Sequence, residues 1–368
     1  MRITGFASPE GTARFKARFE GFFRFSQGIW FSSVGAGSYL GDSDDQTDAL
    51  YREGIQEAVR RGVNLLDTAI NYRCQRSERC VGQALAELIE SGQAAREELI
   101  LCTKGGYLPF DGEIPSDPEG YFTRAFLNSG LLKPEEIAQG CHAMAPRFLE
   151  DQLNRSLDNL GVETIDLYYL HNPETQLAEV SRADFQRRLK AAFEFLEKKV
   201  SEGKIRMYGT ATWSGYRVSS ESRSYLSLQE IQVLAREVGG PRHHFKAVQL
   251  PVNLAMPEAW IFKNQGYAAA SVSFLEAAQK LGMTVIASGA LLQGQLVRPF
   301  PPELMERFGG LAKPSHCALQ FARSVPGVVT ALVGMKRKEH VRENLELAAV
   351  APMSPAELDQ LFQTTGEG

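Results

Sequence analysis

Several things are scarce in this sequence. Nowhere does it hold an unbroken apolar run of the roughly 18 residues needed to cross a bilayer, and its start, "MRITGFASPEGTARF", lacks the apolar core of a secretory signal. No membrane partner is expected. Basic residues are not in excess: 40 Lys and Arg against 44 Asp and Glu give a net charge of −4, which leaves no basic surface to recruit nucleic acid. Five cysteines (Cys74, Cys80, Cys102, Cys141 and Cys317) form an odd set without framework spacing, as expected of reduced thiols in a cytoplasmic protein. Low-complexity tracts and Pro-rich linkers are missing, so nothing marks a domain boundary.

What is present is an alternation. Short apolar runs at 29–35, 63–67, 99–104, 164–171, 204–210, 245–250, 283–288 and 328–334 read as strands. Amphipathic segments lie between them. In "FLEDQLNRSLDNLG" Leu149, Leu153, Leu157 and Leu160 share a helical face and Gly161 supplies a stop. In "ALYREGIQEAVRRG" Leu50, Ile55, Ala58 and Val59 turn inward before Gly62. Several strands are almost continuously apolar, as parallel strands covered on both faces are. Eight βα repeats are the count that closes a (β/α)8 TIM barrel, a fold that usually takes about 250 residues. The expected fold class is therefore α/β, one domain over 1–368 with its barrel at about 29–349. The surplus falls before the first strand, in a long loop after strand three (about 105–143) and in another after strand six (251 to about 270). The leading "ARFKARF", Gly21 and "FFRF" suggest a hairpin across the barrel floor.

The stretch "FSSVGAGSYLGDSDD" tests the main rival fold. Gly35-x-Gly37 with Gly41 resembles a dinucleotide-binding turn, but three residues separate the last two glycines where a Rossmann turn has two. Asp42, Asp44 and Asp45 follow and would repel a phosphate at close range.

Chemistry concentrates at the strand ends. Asp67 ends the second strand in "GVNLLDTAINYRCQRSERCVGQAL", Tyr72 follows five residues later, Lys104 ends the third in "LCTKGG" and His171 the fourth in "DLYYLHNPE". Active sites of this fold are built at that mouth. Asp67 would hold Lys104 charged, and an ammonium within a few ångströms lowers a phenol's pKa by roughly 1–3 units. Tyr72 would then protonate a developing alkoxide, with His171 orienting the carbonyl. Singly, each residue has a plain structural reading, as a rim tyrosine, a turn cap, a solvated lysine or a satisfied histidine. It is their grouping on three successive strand ends that points to a site.

On "GVNLLDTAINY" with Ser77-Glu78 and Gly82, on "LCTKGG" and "DLYYLH", and on the late "GMKRKEHVRENLELA", the sequence resembles the aldo-keto reductases from about Ile29 to Ala349. The resemblance implies a TIM barrel that reduces aldehydes and ketones with NADPH, and carries the family's catalytic set onto Asp67, Tyr72, Lys104 and His171. It further implies cofactor contacts from Gly37, Ser38, Asp67, Asn172, Thr212, Gln249, Ser288, Gly289, Leu291, Gly334, Lys336, Arg337, His340 and Asn344. Gln249 matches the glutamine that holds the nicotinamide amide. Two places depart from the pattern: Ala211-Thr212 stand where the family has Ser-Asn, and Ser288 stands where a tyrosine stacks on the nicotinamide. Lys336 and Arg337 can neutralise a 2′-phosphate, which favours NADPH over NADH. The phosphates are expected by strands seven and eight, on the far side from Asp42, Asp44 and Asp45. Tyr39 is expected at the substrate mouth, and Tyr107, Phe110, Tyr121, Phe122 and Phe126 in an ordered lid or wall.

No metal is expected, since Cys141-His142 has no accompanying cluster, and His243-His244 should lie exposed in a polar loop. Two other function classes stay open. One is an NADP(H)-binding, redox-sensing or partner-regulating subunit of slow turnover; the other is a lyase or aldolase forming a Schiff base on Lys104. The natural carbonyl substrate and the oligomeric state are not readable from the sequence.

Overall fold

The computed structural model describes residues 2–19 and 23–362. A hairpin of β1 (Phe23–Ser26) and β2 (Ile29–Ser32) comes first, followed by β3 (Val34–Gly37), β4 (Leu65–Asp67), β5 (Ile100–Gly105), β6 (Ile165–His171), β7 (Ile205–Ala211) and β8 (Phe245–Pro251). A small ribbon of β9 (Gln265–Tyr267) and β10 (Ala270–Val272) precedes β11 (Thr284–Ser288) and β12 (Val328–Gly334). Strands β3 to β8, β11 and β12 close into a barrel, parallel at every seam, with β12 returning to β3.

The apolar runs close this way because alternate residues feed two different cores. Leu65, Ile100, Cys102, Leu167, Tyr169, Ala247, Ile286 and Leu332 pack inside the barrel. Their neighbours Leu66, Leu101, Tyr168, Leu170 and Val248 pack outward against the helices. The helix Pro146–Leu160 is built as its pattern requires. Leu149, Leu153, Leu157 and Leu160 are all buried, Pro146 starts it, and Gly161 ends it at φ 65°. In the helix Asp45–Arg60, Tyr51, Ile55, Ala58 and Val59 are buried while Leu50 is only half-buried.

The first expected strand, 29–35, is in fact two. Ser33 separates β2 from β3, and only β3 joins the barrel. The hairpin is real but lies further along than expected. "ARFK" belongs to a helix, Pro9–Lys16, capped by the Ser8 hydroxyl, and the turn falls at Gln27-Gly28, both at positive φ. Gly21 and Phe22 of the expected hairpin lie outside the described residues. Phe31, Ile29 and Ala7 join the inner core, and Ser26 and Gln27 reach Thr284 and the Gly282 carbonyl at the start of β11, so this segment does close the barrel floor.

Asp44 and its neighbours also find their reason. Asp44 caps the helix Asp45–Arg60, accepting from the Thr47 N–H at 2.7 Å, and Asp45 and Asp48 occupy its first turn, where negative charge is favoured. The loop after β5 is ordered around its own cluster of Leu108, Phe126, Leu132, Ala143 and Phe148, with Phe110 stacked on Phe122 at 4.6 Å. His243-His244 departs from expectation. His243 is buried, and His244 Nδ1 lies 2.7 Å from Glu197. Among the described residues no helix is long and apolar enough to cross a membrane, and no cluster of His, Cys, Asp and Glu could hold a metal.

Below the mouth, a buried ion pair ties three segments together. Arg96 Nη2 meets Asp166 Oδ2 at 2.8 Å, and the same carboxylate accepts from the Ala7 and Leu101 N–H groups. Asp166→Ala leaves a buried guanidinium unpaired and should cost about 3–5 kcal/mol. Asp158→Ala, which breaks the exposed pair with Arg2, should cost under about 1 kcal/mol. Urea denaturation of both variants checks the contrast.

Candidate active site

Three strand ends build the centre. Asp67, last in β4, and Lys104, next to last in β5, meet at 2.5 Å between Oδ1 and Nζ. Both are buried, at 3% and 1% exposure, so this is a desolvated pair. Lys104 also donates to the Thr68 carbonyl at 2.8 Å, and Gln249 Nε2 donates to the second Asp67 oxygen at 2.8 Å. Each carboxylate oxygen thus accepts from an N–H donor, the arrangement that suits the ionised form.

Tyr72 and His171 complete the group. Lys104 Nζ stands 4.8 Å from the centre of the Tyr72 ring, and the Tyr72 and His171 rings meet edge to face at 5.8 Å. Tyr39, half exposed, leans on Tyr72 at 4.9 Å, and Tyr107 stands edge-on to His171 at 5.0 Å. Tyr39 and Tyr107 thus flank the Tyr72–His171 pair from two different loops.

The electrostatics differ from expectation at one point. Burial pulls the Lys104 ammonium down, but Asp67 and Tyr72 together outweigh it and hold it above its ordinary value. Burial pushes the Asp67 carboxyl up, with Lys104 pulling the other way. Burial also pushes the Tyr72 phenol up, and here Lys104 offsets it only in part, so the phenol sits above its ordinary value and not below it. Desolvation of the phenolate wins over the neighbouring charge. His171 is driven well below its usual range, first by burial and then by Lys104 and His142, and is a neutral imidazole. Among the described residues neither of its ring nitrogens has a partner, and Nδ1 is buried.

The residues expected to hold a cofactor fall into two groups around this centre. Gly37 pairs in register with Asp67 on one side and with Gly334 on the other, and the buried Ser38 hydroxyl donates to the Asp67 carbonyl at 3.1 Å. Neither glycine is demanded by the protein's own packing. A Cβ at Gly37 would approach nothing closer than 3.8 Å and one at Gly334 nothing closer than 4.0 Å, whereas one at Gly35 would strike Leu332 and Thr330 at 2.8 Å. Two adjacent strand ends are thus bare where a Cβ would fit. Thr212 follows β7 with a buried hydroxyl that has no partner among the described residues, Ala211 is buried beside it, and Ser288, Gly289 and Leu291 lie half-buried at the end of β11. Asn172 donates to the Tyr107 hydroxyl at 3.1 Å.

The second group follows β12. Arg337 caps the helix Lys338–Leu345, exposed like His340, while Asn344 is buried. Lys338 is taken up by Glu53 at 2.8 Å, but Lys336 and Arg337 enter no ion pair among the described residues. Lys336 Nζ lies 3.0 Å from where a Cβ would stand on Gly41. The loop after β3 therefore runs from Tyr39 beside Tyr72 to Gly41 beside Lys336.

This geometry can be set beside known proteins. The sequence model of the Aldo/keto reductase family matches residues 33–364. The chain belongs to the aldo/keto reductase family. A NADH-specific methylglyoxal reductase of Escherichia coli is 29% identical over 212 residues, 57% of this chain but only 53% of that protein. A D-threo-aldose 1-dehydrogenase of Pseudomonas is 24% identical, with 84% of each chain covered. A putative voltage-gated potassium channel subunit beta of Schizosaccharomyces pombe is 23% identical over 88% of this chain and 87% of its own. Among solved structures, an aldo-keto reductase of Bacillus halodurans in its holo form has a TM-score of 0.61 at 20% identity, covering 92% of this chain and 94% of its own. One from Klebsiella pneumoniae in complex with NADP and acetate has a TM-score of 0.59 at 19% identity, covering 93% and 94%. These likenesses show the fold that the strand pattern predicts.

Two supporting residues escaped the sequence reading. His142, at the far end of the long loop, sets Nε2 against the His171 carbonyl at 2.7 Å and receives the Gln176 amide on Nδ1 at 2.9 Å. Its ring also meets Tyr107 edge-on at 5.1 Å. Glu174 gathers the Trp213, Ser214 and Gly215 N–H groups on one oxygen and fixes the turn that carries Thr212. Neither contact follows a local spacing rule; only the "HNPE" run, with Glu174 three residues past His171, hinted at it.

His142 gives a pH prediction. Burial lowers its pKa from 6.5 to about 4. The folded chain holds it neutral, so its contribution is full above pH 6.5 and is lost as pH falls towards 4, by up to about 3 kcal/mol. Urea midpoints measured between those limits should fall less steeply in His142→Gln than in the wild type.

Proposed function

We propose that this protein is an NADPH-dependent reductase of aldehydes or ketones, with Tyr72 as the proton donor. The observation that carries this reading is the buried Asp67–Lys104 pair set against Tyr72, with a neutral, unpartnered His171 facing it. In the substrate site His171 would donate one N–H to the carbonyl oxygen and orient it. The Tyr72 hydroxyl would pass its proton to that oxygen as negative charge develops there, and Lys104 would stabilise the phenolate left behind. A raised phenol pKa suits this direction, because the donor stays protonated at neutral pH. Tyr39 and Tyr107 would exclude water from the reacting group.

The residues fit a nicotinamide dinucleotide. Gly37 and Gly334 leave a bare floor, the Thr212 hydroxyl is buried without a partner among the described residues, Gln249 reaches Asp67, and Lys336 and Arg337 enter no ion pair among the described residues and could meet phosphate. Bound NADPH supplies the hydride. The complexes of the Klebsiella relatives with NADP and NADPH support this choice, as does the pair of unengaged cations.

A second reading has one observation behind it. Ala211 and Ser288 stand where the family resemblance implies Ser-Asn and tyrosine contacts to the nicotinamide, which suits a subunit that binds NADP(H), turns over slowly and answers to a protein partner, and a relative is named as a channel subunit. Schiff-base chemistry at Lys104 gains no support, because Asp67 holds the amine protonated and without a free lone pair.

Against a panel of carbonyl compounds, Tyr72→Phe should lower kcat by about 100-fold or more while leaving the NADPH Kd unchanged. NADPH bound tightly with no carbonyl reduced by the wild type would favour the second reading. Reduction by the wild type should stay flat from about pH 6 to about pH 9, because Tyr72 remains protonated throughout, while alcohol oxidation should rise with pH. Gly37→Ala should fold normally, having room for its Cβ, and Gly37→Val, which projects further, should weaken nucleotide binding at least roughly tenfold in a fluorescence titration.

A further inference from the structure

The three residues after Tyr72 hold an unusual backbone. Arg73, Cys74 and Gln75 have φ of 50°, 56° and 69°, a left-handed conformation that side chains other than glycine disfavour. None of them is glycine, asparagine or aspartate. Three in succession persist only where the surroundings over-determine them.

The surroundings do so from two sides. The Arg73 guanidinium is buried and forms an ion pair with Asp48. It donates to the Asp42 carbonyl at 2.8 Å, to the Asp44 carbonyl at 3.4 Å and to Cys80 Sγ at 3.8 Å. It lies 5.3 Å over the Tyr51 ring, whose hydroxyl in turn donates to the Leu40 carbonyl at 2.6 Å. One side chain thus collects the loop that follows Tyr39. On the other side Gln75 Nε2 donates to the Phe110 carbonyl at 2.9 Å, and the Gly112 N–H donates to the Cys74 carbonyl at 2.9 Å. The long loop that starts at Tyr107 is tied to the same turn.

We propose that Arg73 is a positioning residue for Tyr72: its clamp on Asp48 and on the 42–44 backbone holds the left-handed turn, and through that turn couples the two loops bearing Tyr39 and Tyr107 into one rigid wall. Arg73 touches no reacting atom. The catalytic half of this inference rests on Tyr72 being the proton donor; the mechanical half does not.

Hydrogen exchange read by mass spectrometry, together with steady-state kinetics, tests both halves on Arg73→Gly, which removes the guanidinium and relieves the backbone strain at once. Exchange should quicken in 40–44 and in 108–113 with the barrel strands unchanged. The kcat should fall about 10- to 100-fold with the NADPH Kd kept, and Arg73→Lys, which keeps the charge, should recover part of that loss. If Arg73→Gly fails to fold, Asp48→Asn, which leaves the carbonyl contacts in place, is read the same way. Unchanged exchange in 108–113 overturns the coupling, and an unchanged kcat overturns the positioning role. If the wild type reduces no carbonyl compound, the proposed activity fails, and the exchange pattern alone then decides the clamp.

Discussion

Everything at the mouth of this barrel answers to one constraint, a carboxylate and an ammonium buried together. Taking Asp67 and Lys104 out of water costs several kcal/mol for each ion, and their attraction offsets this only with close geometry and further hydrogen bonds. The barrel supplies both. Adjacent parallel strands deliver the two side chains from neighbouring ends at 2.5 Å, Thr68 offers its carbonyl to the ammonium, and Gln249 reaches across from β8 to the second carboxylate oxygen. Tyr72 and His171 inherit the environment so made. The charge on Lys104 helps to keep His171 neutral, and desolvation keeps the Tyr72 proton in place, the protonation states that the proposed roles of proton donor and carbonyl-orienting imidazole require.

The loops extend the same centre. The segment after β3 touches Tyr72 through Tyr39 and lies beside Lys336 at Gly41, so one loop spans from the buried Asp67–Lys104–Tyr72 cluster to the basic motif after β12. The long loop after β5 leaves at Tyr107 and comes back at His142, which grips the carbonyl of His171 itself. Both ends of that insertion therefore contact the histidine, and its interior carries its own apolar cluster.

Much of this was legible because it is written in local pattern. Apolar runs covered on both faces name parallel strands, and Asp67, Lys104 and His171 are recognisable as polar residues closing such runs. What was not legible depends on distance or on competition between effects. Nothing local separates β2 from β3 at Ser33, because both halves are apolar and only the closure of the barrel decides which one joins. "ARFK" is helical because Ser8 caps it and Phe15 finds the core, which is tertiary information. The sign of the Tyr72 shift turns on burial outweighing a neighbouring cation, and burial is not a sequence quantity. Arg73, Cys74 and Gln75 carry no mark of a left-handed turn, since none is a residue type that favours one.

In the proposed reduction Asp67 and Lys104 act as a single unit. A double-mutant cycle of Asp67→Asn and Lys104→Met, followed by single-turnover oxidation of bound NADPH with one carbonyl substrate, measures this directly. Strong non-additivity is expected, with the double variant no slower than the worse single one, because removing either partner already unmakes the pair. Losses that simply add would mean that the two residues act independently, and would contradict it.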